Sequence, residues 1–153
     1  QKPTNLKQGD KVVILSTARK ISEVEIAPAV EVFEGWGLTV VFGANLFKED
    51  NQFSGSTEQR TSDFQTALDD ENIKAIFCAR GGYGTVKIID GLDFLNFRKT
   101  AKWIVGYSDV TVLHNHVNQN FNIKTLHATM PINVAKNSKE SLESLRSIVF
   151  GKQ

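Results

Sequence analysis

Apolar and polar positions along this chain follow two periods in turn, and the switching between them predicts the architecture. Val12-Val13-Ile14-Leu15 is a continuous apolar run after the turn Gln8-Gly9-Asp10, the pattern of a strand buried on both faces. From Ser22 onward Ile26, Ala27, Val30 and Phe33 recur at helical spacing, with Ser22 and Glu25 as a capping box and Gly37 as the stop. Pro28 inside this segment predicts an irregular first turn or a later helix start. Residues 38–42 read as a second strand, and the polar, glycine-containing stretch 43–56 as an exposed loop suited to wall a site.

A helix opening at Ser56 or Thr57 and running to Asp70 places Phe64, Ala67 and Leu68 on one face, and residues 73–78 form a third strand. Beyond it the pattern predicts a helical turn or two within 83–90, a short helix over 92–97, a fourth strand over 102–105 and a helix over 109–120. A short strand over 124–126 and an amphipathic helix over 138–150, with Leu142, Leu145, Ile148 and Val149 inward, complete the series. Strands alternating with helices imply right-handed crossovers and an α/β domain, its parallel sheet covered by helices on both faces. Ligands of such sheets bind outside the carboxyl ends of the strands. The turns after Cys78 and after Val105 both fall at that edge.

Those two turns carry the candidate chemistry. In Gly106-Tyr107-Ser108-Asp109-Val110-Thr111 a serine sits on a sharp strand-to-helix turn, which pushes its hydroxyl out of the sheet edge and makes Ser108 the candidate nucleophile. The hydrolase elbow has glycine two residues to either side of its serine; Gly106 matches the first, and Val110 replaces the second. Taken alone, the same pattern also suits a helix N-cap. In Ala79-Arg80-Gly81-Gly82-Tyr83-Gly84 three glycines leave backbone amides free to approach an anion, or simply make a tight turn. The loop has neither the Lys-Ser ending of a P-loop nor the dinucleotide-binding spacing. Together the turns supply two amides, of Gly82 and Asp109, suited to converge as an oxyanion hole.

With these motifs in this order the chain resembles the LD-carboxypeptidase family of serine peptidases, which includes muramoyltetrapeptide carboxypeptidases and microcin self-immunity proteins. The matching elements are residues 6–10, Phe53-Ser54-Gly55 with Arg60, the loop 80–84, residues 106–111 with Leu113-His114, and Leu126-His127 with Met130-Pro131. Ala128-Thr129 departs from the glycine and proline usual there. The resemblance implies a flavodoxin-like sheet, Ser108 as nucleophile and the amides of Gly82 and Asp109 as oxyanion hole. It also implies a murein peptide as substrate, cut at an L,D-bond to release the terminal D-amino acid. In the family the glutamate and histidine that complete the triad come from a C-terminal domain. Residues 1–153 therefore read as the N-terminal, nucleophile-bearing domain, without that second domain and inactive alone. The alternative is a noncatalytic domain binding a small anion or peptide.

Other side chains sharpen the expectation. Arg80 at the mouth of the glycine loop suits a substrate carboxylate, or a surface salt bridge; Gly81, Tyr83 and His127 are further candidates for substrate contact, and Tyr83 and Tyr107 for pocket walls or aromatic packing. His114, about six residues into its helix, is too far along to reach Ser108, and His116 faces another direction. No metal site and no cofactor are expected. With 153 residues, 41% of them hydrophobic, the chain is one domain with a core of its own. Eighteen basic and 17 acidic residues are interspersed, which argues against nucleic acid or a membrane surface as partner. Apolar surface left uncovered by the second domain makes a homodimer conceivable. The single cysteine, Cys78, suits a reducing, cytoplasmic compartment. A periplasmic location stays open, because the chain starts without methionine and a leader can have been removed.

Overall fold

The computed structural model describes residues 1–151, so the domain expected over 1–153 is described to within two residues of its end. Five parallel strands, β1 (Lys11–Leu15), β2 (Thr39–Phe42), β3 (Ile73–Cys78), β4 (Trp103–Gly106) and β5 (Leu126–His127), lie in the order β2-β1-β3-β4-β5. This is the flavodoxin-like order, in which the chain leaves β1 first toward one edge and then, at β3, toward the other. The switch point therefore falls between β1 and β3, where the connections diverge and open a crevice.

Alternation along the strands builds two cores. Val12 and Ile14 of β1 join Ala75, Phe77, Trp103 and Val105 on one face, under α1 (Glu23–Gly35) and α6 (Lys139–Phe150). Val13 and Leu15 join Ile76, Cys78 and Ile104 on the other, under α2 (Thr57–Asp69), the short α3 (Val86–Ile89) and α4 (Leu95–Lys99), and α5 (Thr111–Phe121). Phe33 of α1 is fully buried with its ring 4.4 Å from that of Phe77, a contact whose burial contributes about 2–3 kcal/mol.

The expected capping box of Ser22 with Glu25 opens α1, and a second box, Ser56 with Gln59, opens α2. Pro28 neither delays α1 nor breaks it, contrary to expectation; the helix is continuous from Glu23. The carbonyl that its missing N–H would have bonded belongs to Val24, an exposed residue, so water can satisfy it. The last strand lies two residues later than its apolar pattern suggests, because β5 is set by pairing with β4, Val105 opposite Leu126 and Gly106 opposite His127. A six-residue 3-10 helix, Pro131–Lys136, follows it and has no periodic signature in the sequence. No helix among the described residues is long and apolar enough to cross a membrane.

Candidate active site

The strand β4 ends at Gly106 and the chain turns at once into a 3-10 turn, Ser108–Val110, that leads into α5. Ser108 has φ 61°, a left-handed backbone that costs a non-glycine residue about 1–2 kcal/mol. The turn is held by what lies beneath it. Val110 is fully buried, and a Cβ on Gly106 would stand 3.0 Å from both its methyl groups. A valine thus occupies the elbow's second glycine position because the first glycine leaves room for it. Ser108 itself is exposed and makes no N-cap: the cap position belongs to Tyr107, and no side chain there bonds a helix amide.

The glycine loop after β3 packs directly on this elbow. A Cβ on Gly81 would lie 3.3 Å from Asp109 Cβ, 3.4 Å from the Asp109 nitrogen and 3.6 Å from Ser108 Cβ. Gly82 follows with φ 118°, and Tyr83 with φ 59° and an exposed ring. Among the described residues, neither the Gly82 nor the Asp109 amide donates to a protein acceptor.

The Asp109 side chain does not cap its own helix. Its Oδ2 accepts hydrogen bonds from the Gly84 amide at 3.1 Å, the Thr85 amide at 3.0 Å and the Thr85 hydroxyl at 2.6 Å. It therefore ties the glycine loop to the serine turn and satisfies donors at the start of α3. Because the Thr85 proton goes to the carboxylate, the Thr17 hydroxyl 2.6 Å away donates to Thr85. Both threonines are fully buried. Thr17 also gives its carbonyl to Arg60 Nε at 3.1 Å, and Arg60 Nη1 donates to the Gly55 carbonyl at 2.7 Å. The buried Arg60 lies 4.7 Å over the Phe53 ring. Burial lowers its basicity, opposed by Asp50, Glu58 and Asp109. A relay of polar contacts thus runs from the 53–55 loop to the elbow.

A second clamp comes from α5. His114 is buried, with Nε2 2.8 Å from the Gly106 carbonyl and Nδ1 2.7 Å from the Thr125 hydroxyl. A carbonyl only accepts, so the proton sits on Nε2 and Thr125 donates to Nδ1. Helical side chains lean toward the N-terminus, which is how His114 reaches back to the base of the elbow. Burial lowers its pKa, the Gly106 contact opposes this, and His127 adds to the lowering.

Of the other residues singled out by sequence, Arg80 is turned away, 3.7 Å from the Glu25 carboxylate and 3.3 Å from the Lys20 carbonyl. His127 is exposed at the end of β5 with its ring 5.9 Å from that of Tyr107, and the Tyr107 hydroxyl donates to Asn133 Oδ1 at 2.8 Å. His116 packs against Phe94 and Phe121. None of the three histidines hydrogen-bonds Ser108. Burial pushes the Cys78 thiol up to about 12, so it is inert. The described residues contain no cluster of three potential metal ligands. Sequence pattern missed Thr17, Thr85 and Asn133, whose types and spacing carry no signal; Arg60 was visible only as part of a motif.

The sequence model of the LD-carboxypeptidase N-terminal domain matches residues 12–128. The chain is 35% identical over 129 residues to a probable murein peptide carboxypeptidase of Bacillus subtilis (strain 168), covering 84% of this chain and 40% of that protein. It is 25% identical over 150 residues to the murein tetrapeptide carboxypeptidase of Pseudomonas aeruginosa, covering 90% of this chain and 47% of the other. The fold matches that of the microcin C7 self immunity protein MccF in the wild-type apo state with a TM-score of 0.90 at 23% identity, over 99% of this chain and 47% of that one. The chain spans about half the length, or less, of the curated relatives it matches. A sheet in flavodoxin order, two convergent turns at its carboxyl edge and a family match across most of the sequence lead to one assignment: the chain belongs to the LD-carboxypeptidase family, as its N-terminal domain.

Proposed function

We propose that this chain is the nucleophile-bearing half of a serine carboxypeptidase that removes the terminal D-amino acid from an L,D-bond of a murein peptide. The observation that carries the reading is the elbow itself: an exposed Ser108 on left-handed backbone, beside the glycine loop at Gly81, with the amides of Gly82 and Asp109 left without protein acceptors among the described residues. Strain and unpaired donors at one point are costs a purely structural turn would not retain.

In this mechanism the Ser108 oxygen bonds to the scissile carbonyl carbon, and the carbonyl oxygen takes negative charge between the two amides. Each donor contributes about 3 kcal/mol to the transition state. The C–N bond then breaks, the serine's proton leaves with the amine of the D-amino acid, and water hydrolyses the ester. Serine at its ordinary pKa needs a base to remove that proton. With His114 committed to Gly106 and Thr125, the base comes from the second domain that the family resemblance implies. Tyr83, His127 and Gly81 line the approach of the peptide in this arrangement, and no cofactor takes part.

The test compares turnover of a murein tetrapeptide by this chain and by a version extended through the second domain, each with and without Ser108→Ala. The extended version is expected to lose at least a thousandfold on substitution, and the chain alone to be inactive. Turnover that survives Ser108→Ala overturns the nucleophile; equal serine-dependent turnover in both versions overturns the need for a second domain. Peptide binding without any serine-dependent turnover favours the noncatalytic alternative. Self-association, for which the Phe42 and Phe47 rings at the open edge of β2 offer apolar surface, is read by light scattering across a concentration series.

A further inference from the structure

Arg19 stands where no sequence motif directs attention. It follows β1 at the switch point, and its backbone is held on three sides. Its amide donates to the Gly81 carbonyl at 3.4 Å, its carbonyl accepts from the Ser16 hydroxyl at 2.7 Å, and it bridges Phe53 in antiparallel fashion. Its side chain lies flat across Gly82. A Cβ at Gly82 would collide with Arg19 Cγ and stand 2.7 Å from Cδ and 2.9 Å from Nε, so the glycine leaves the space the arginine fills. Among the described residues, the guanidinium has no ion-pair or hydrogen-bond partner. The other two arginines near this edge are occupied: Arg60 is buried on backbone carbonyls, and Arg80 lies on Glu25 and the Lys20 carbonyl.

We propose that Arg19 binds the free carboxylate at the C-terminus of the substrate peptide and thereby selects for cleavage of the last bond. This rests on the reading of Ser108 as nucleophile. A carboxypeptidase must distinguish a chain end from a chain interior, and the only group that marks the end is the carboxylate. In a peptide the scissile carbon and the terminal carboxylate carbon are about 3–4 Å apart, three bonds along the chain. The glycine loop brings the two groups to neighbouring residues: a Cβ on Gly81 would stand 3.6 Å from Ser108 Cβ, and one on Gly82, about 3.8 Å further along the backbone, would collide with Arg19 Cγ. A peptide whose scissile carbonyl meets Ser108 and the Gly82 amide thus extends its carboxylate toward the guanidinium, whose planar fork takes two oxygens at once. Gly82 serves both ends of this arrangement, its amide facing the reacting oxygen and its missing side chain seating the arginine.

The test is calorimetric titration of the version extended through the second domain, made inert by Ser108→Ala. It is titrated with a murein tetrapeptide bearing a free terminal carboxylate and with the same peptide ending in a carboxamide. Arg19→Gln is expected to weaken binding of the acid about tenfold and of the amide less than twofold, and Arg19→Lys to recover part of the loss. Because the side chain is on the surface, these substitutions leave the fold intact. An undiminished preference for the acid in Arg19→Gln, or equal weakening of both peptides, overturns the assignment of Arg19 while Ser108 keeps its role. Failure of both peptides to bind, together with turnover indifferent to Ser108, removes the parent reading and this one with it.

Discussion

At the carboxyl ends of β3 and β4, Gly82, Tyr83 and Ser108 hold left-handed backbone, and two amides lack acceptors among the described residues. At the amino ends of the same strands the chain behaves in the opposite way. There Lys102 buries its side chain and donates to the carbonyls of Ala67 at 2.6 Å and Asp70 at 2.7 Å, satisfying the end of α2. A cavity of about 370 Å³ beside it is lined by both basic and acidic side chains, among them Lys74, Lys99, Asp10 and Glu71, with no convergence of one charge. The difference teaches where this molecule holds unfavourable local energy. Strain and unpaired donors gather at the edge where ligands enter such sheets, and the opposite edge is spent on closing the fold.

The comparison breaks first at Asp109. Asp109→Ala removes an acceptor shared by three donors and leaves the Gly84 and Thr85 amides unpaired, for an expected cost of about 2–3 kcal/mol in denaturant unfolding. Asp109→Asn keeps an acceptor oxygen and should recover more than half of that. A cost for Asp109→Ala below about 0.5 kcal/mol would mean that the latch does not hold the two turns together.

Lys102→Met tests the other edge. It gives up two helix-end hydrogen bonds and is expected to cost about 1–2 kcal/mol at pH 7. Burial lowers the Lys102 pKa to about 8 in the folded chain, from an ordinary 10.5. Between those values the unfolded chain binds more protons, so the folded form gains stability as pH rises. The gap between wild type and Lys102→Met should therefore widen from pH 8 to pH 10.5; a constant gap across this window contradicts the burial argument.

His114→Gln gives a smaller effect, about 1 kcal/mol, since the glutamine amide can still donate to Gly106 in place of Nε2 while the bond that Nδ1 accepts from Thr125 is lost. The sign of its pH dependence is fixed by burial, which lowers the pKa below the ordinary 6.5. As pH falls below about 6.5 the unfolded chain takes up the proton first, so wild type loses stability and the variant does not lose this part. Thermal unfolding at pH 7.5 and 5.5 reads the difference, with His127 kept in place because its ring lies 6.2 Å from His114. Tyr83→Gly should change stability least. Relief of a left-handed tyrosine, about 1 kcal/mol, is offset by the greater freedom of glycine in the unfolded chain, and the net should stay within about 0.5 kcal/mol. A larger loss would show that the exposed ring packs on something that matters for folding.

Much of the scaffold was legible because it depends on local patterns. Apolar runs located β1 and β3, the Ser-x-x-Glu box placed the start of α1, and Ser56 or Thr57 marked the start of α2 to within a residue. The site was legible only in part. Glycine and serine in two turns marked the loops, since few residues tolerate such backbone. Arg80 drew attention because it adjoins the glycines, yet it faces Glu25, while Arg19, some sixty residues away in the chain, lies across Gly82. Distance along the helix axis keeps His114 off Ser108, as expected, but that distance leaves out the backward lean by which its side chain reaches Gly106.

Sequence by itself determined the number and kind of layers, the buried faces and the two turns at one sheet edge, because hydrophobic period and glycine tolerance act over a few residues. Tertiary structure alone decided what meets there: the Asp109 carboxylate on Gly84 and Thr85, the imidazole of His114 on Gly106, and the side chain of Arg19 on Gly82. The physical reason is that strand order β2-β1-β3-β4-β5 is set by pairing between segments remote in sequence. Which polar side chain crosses which loop follows from that order and from nothing local.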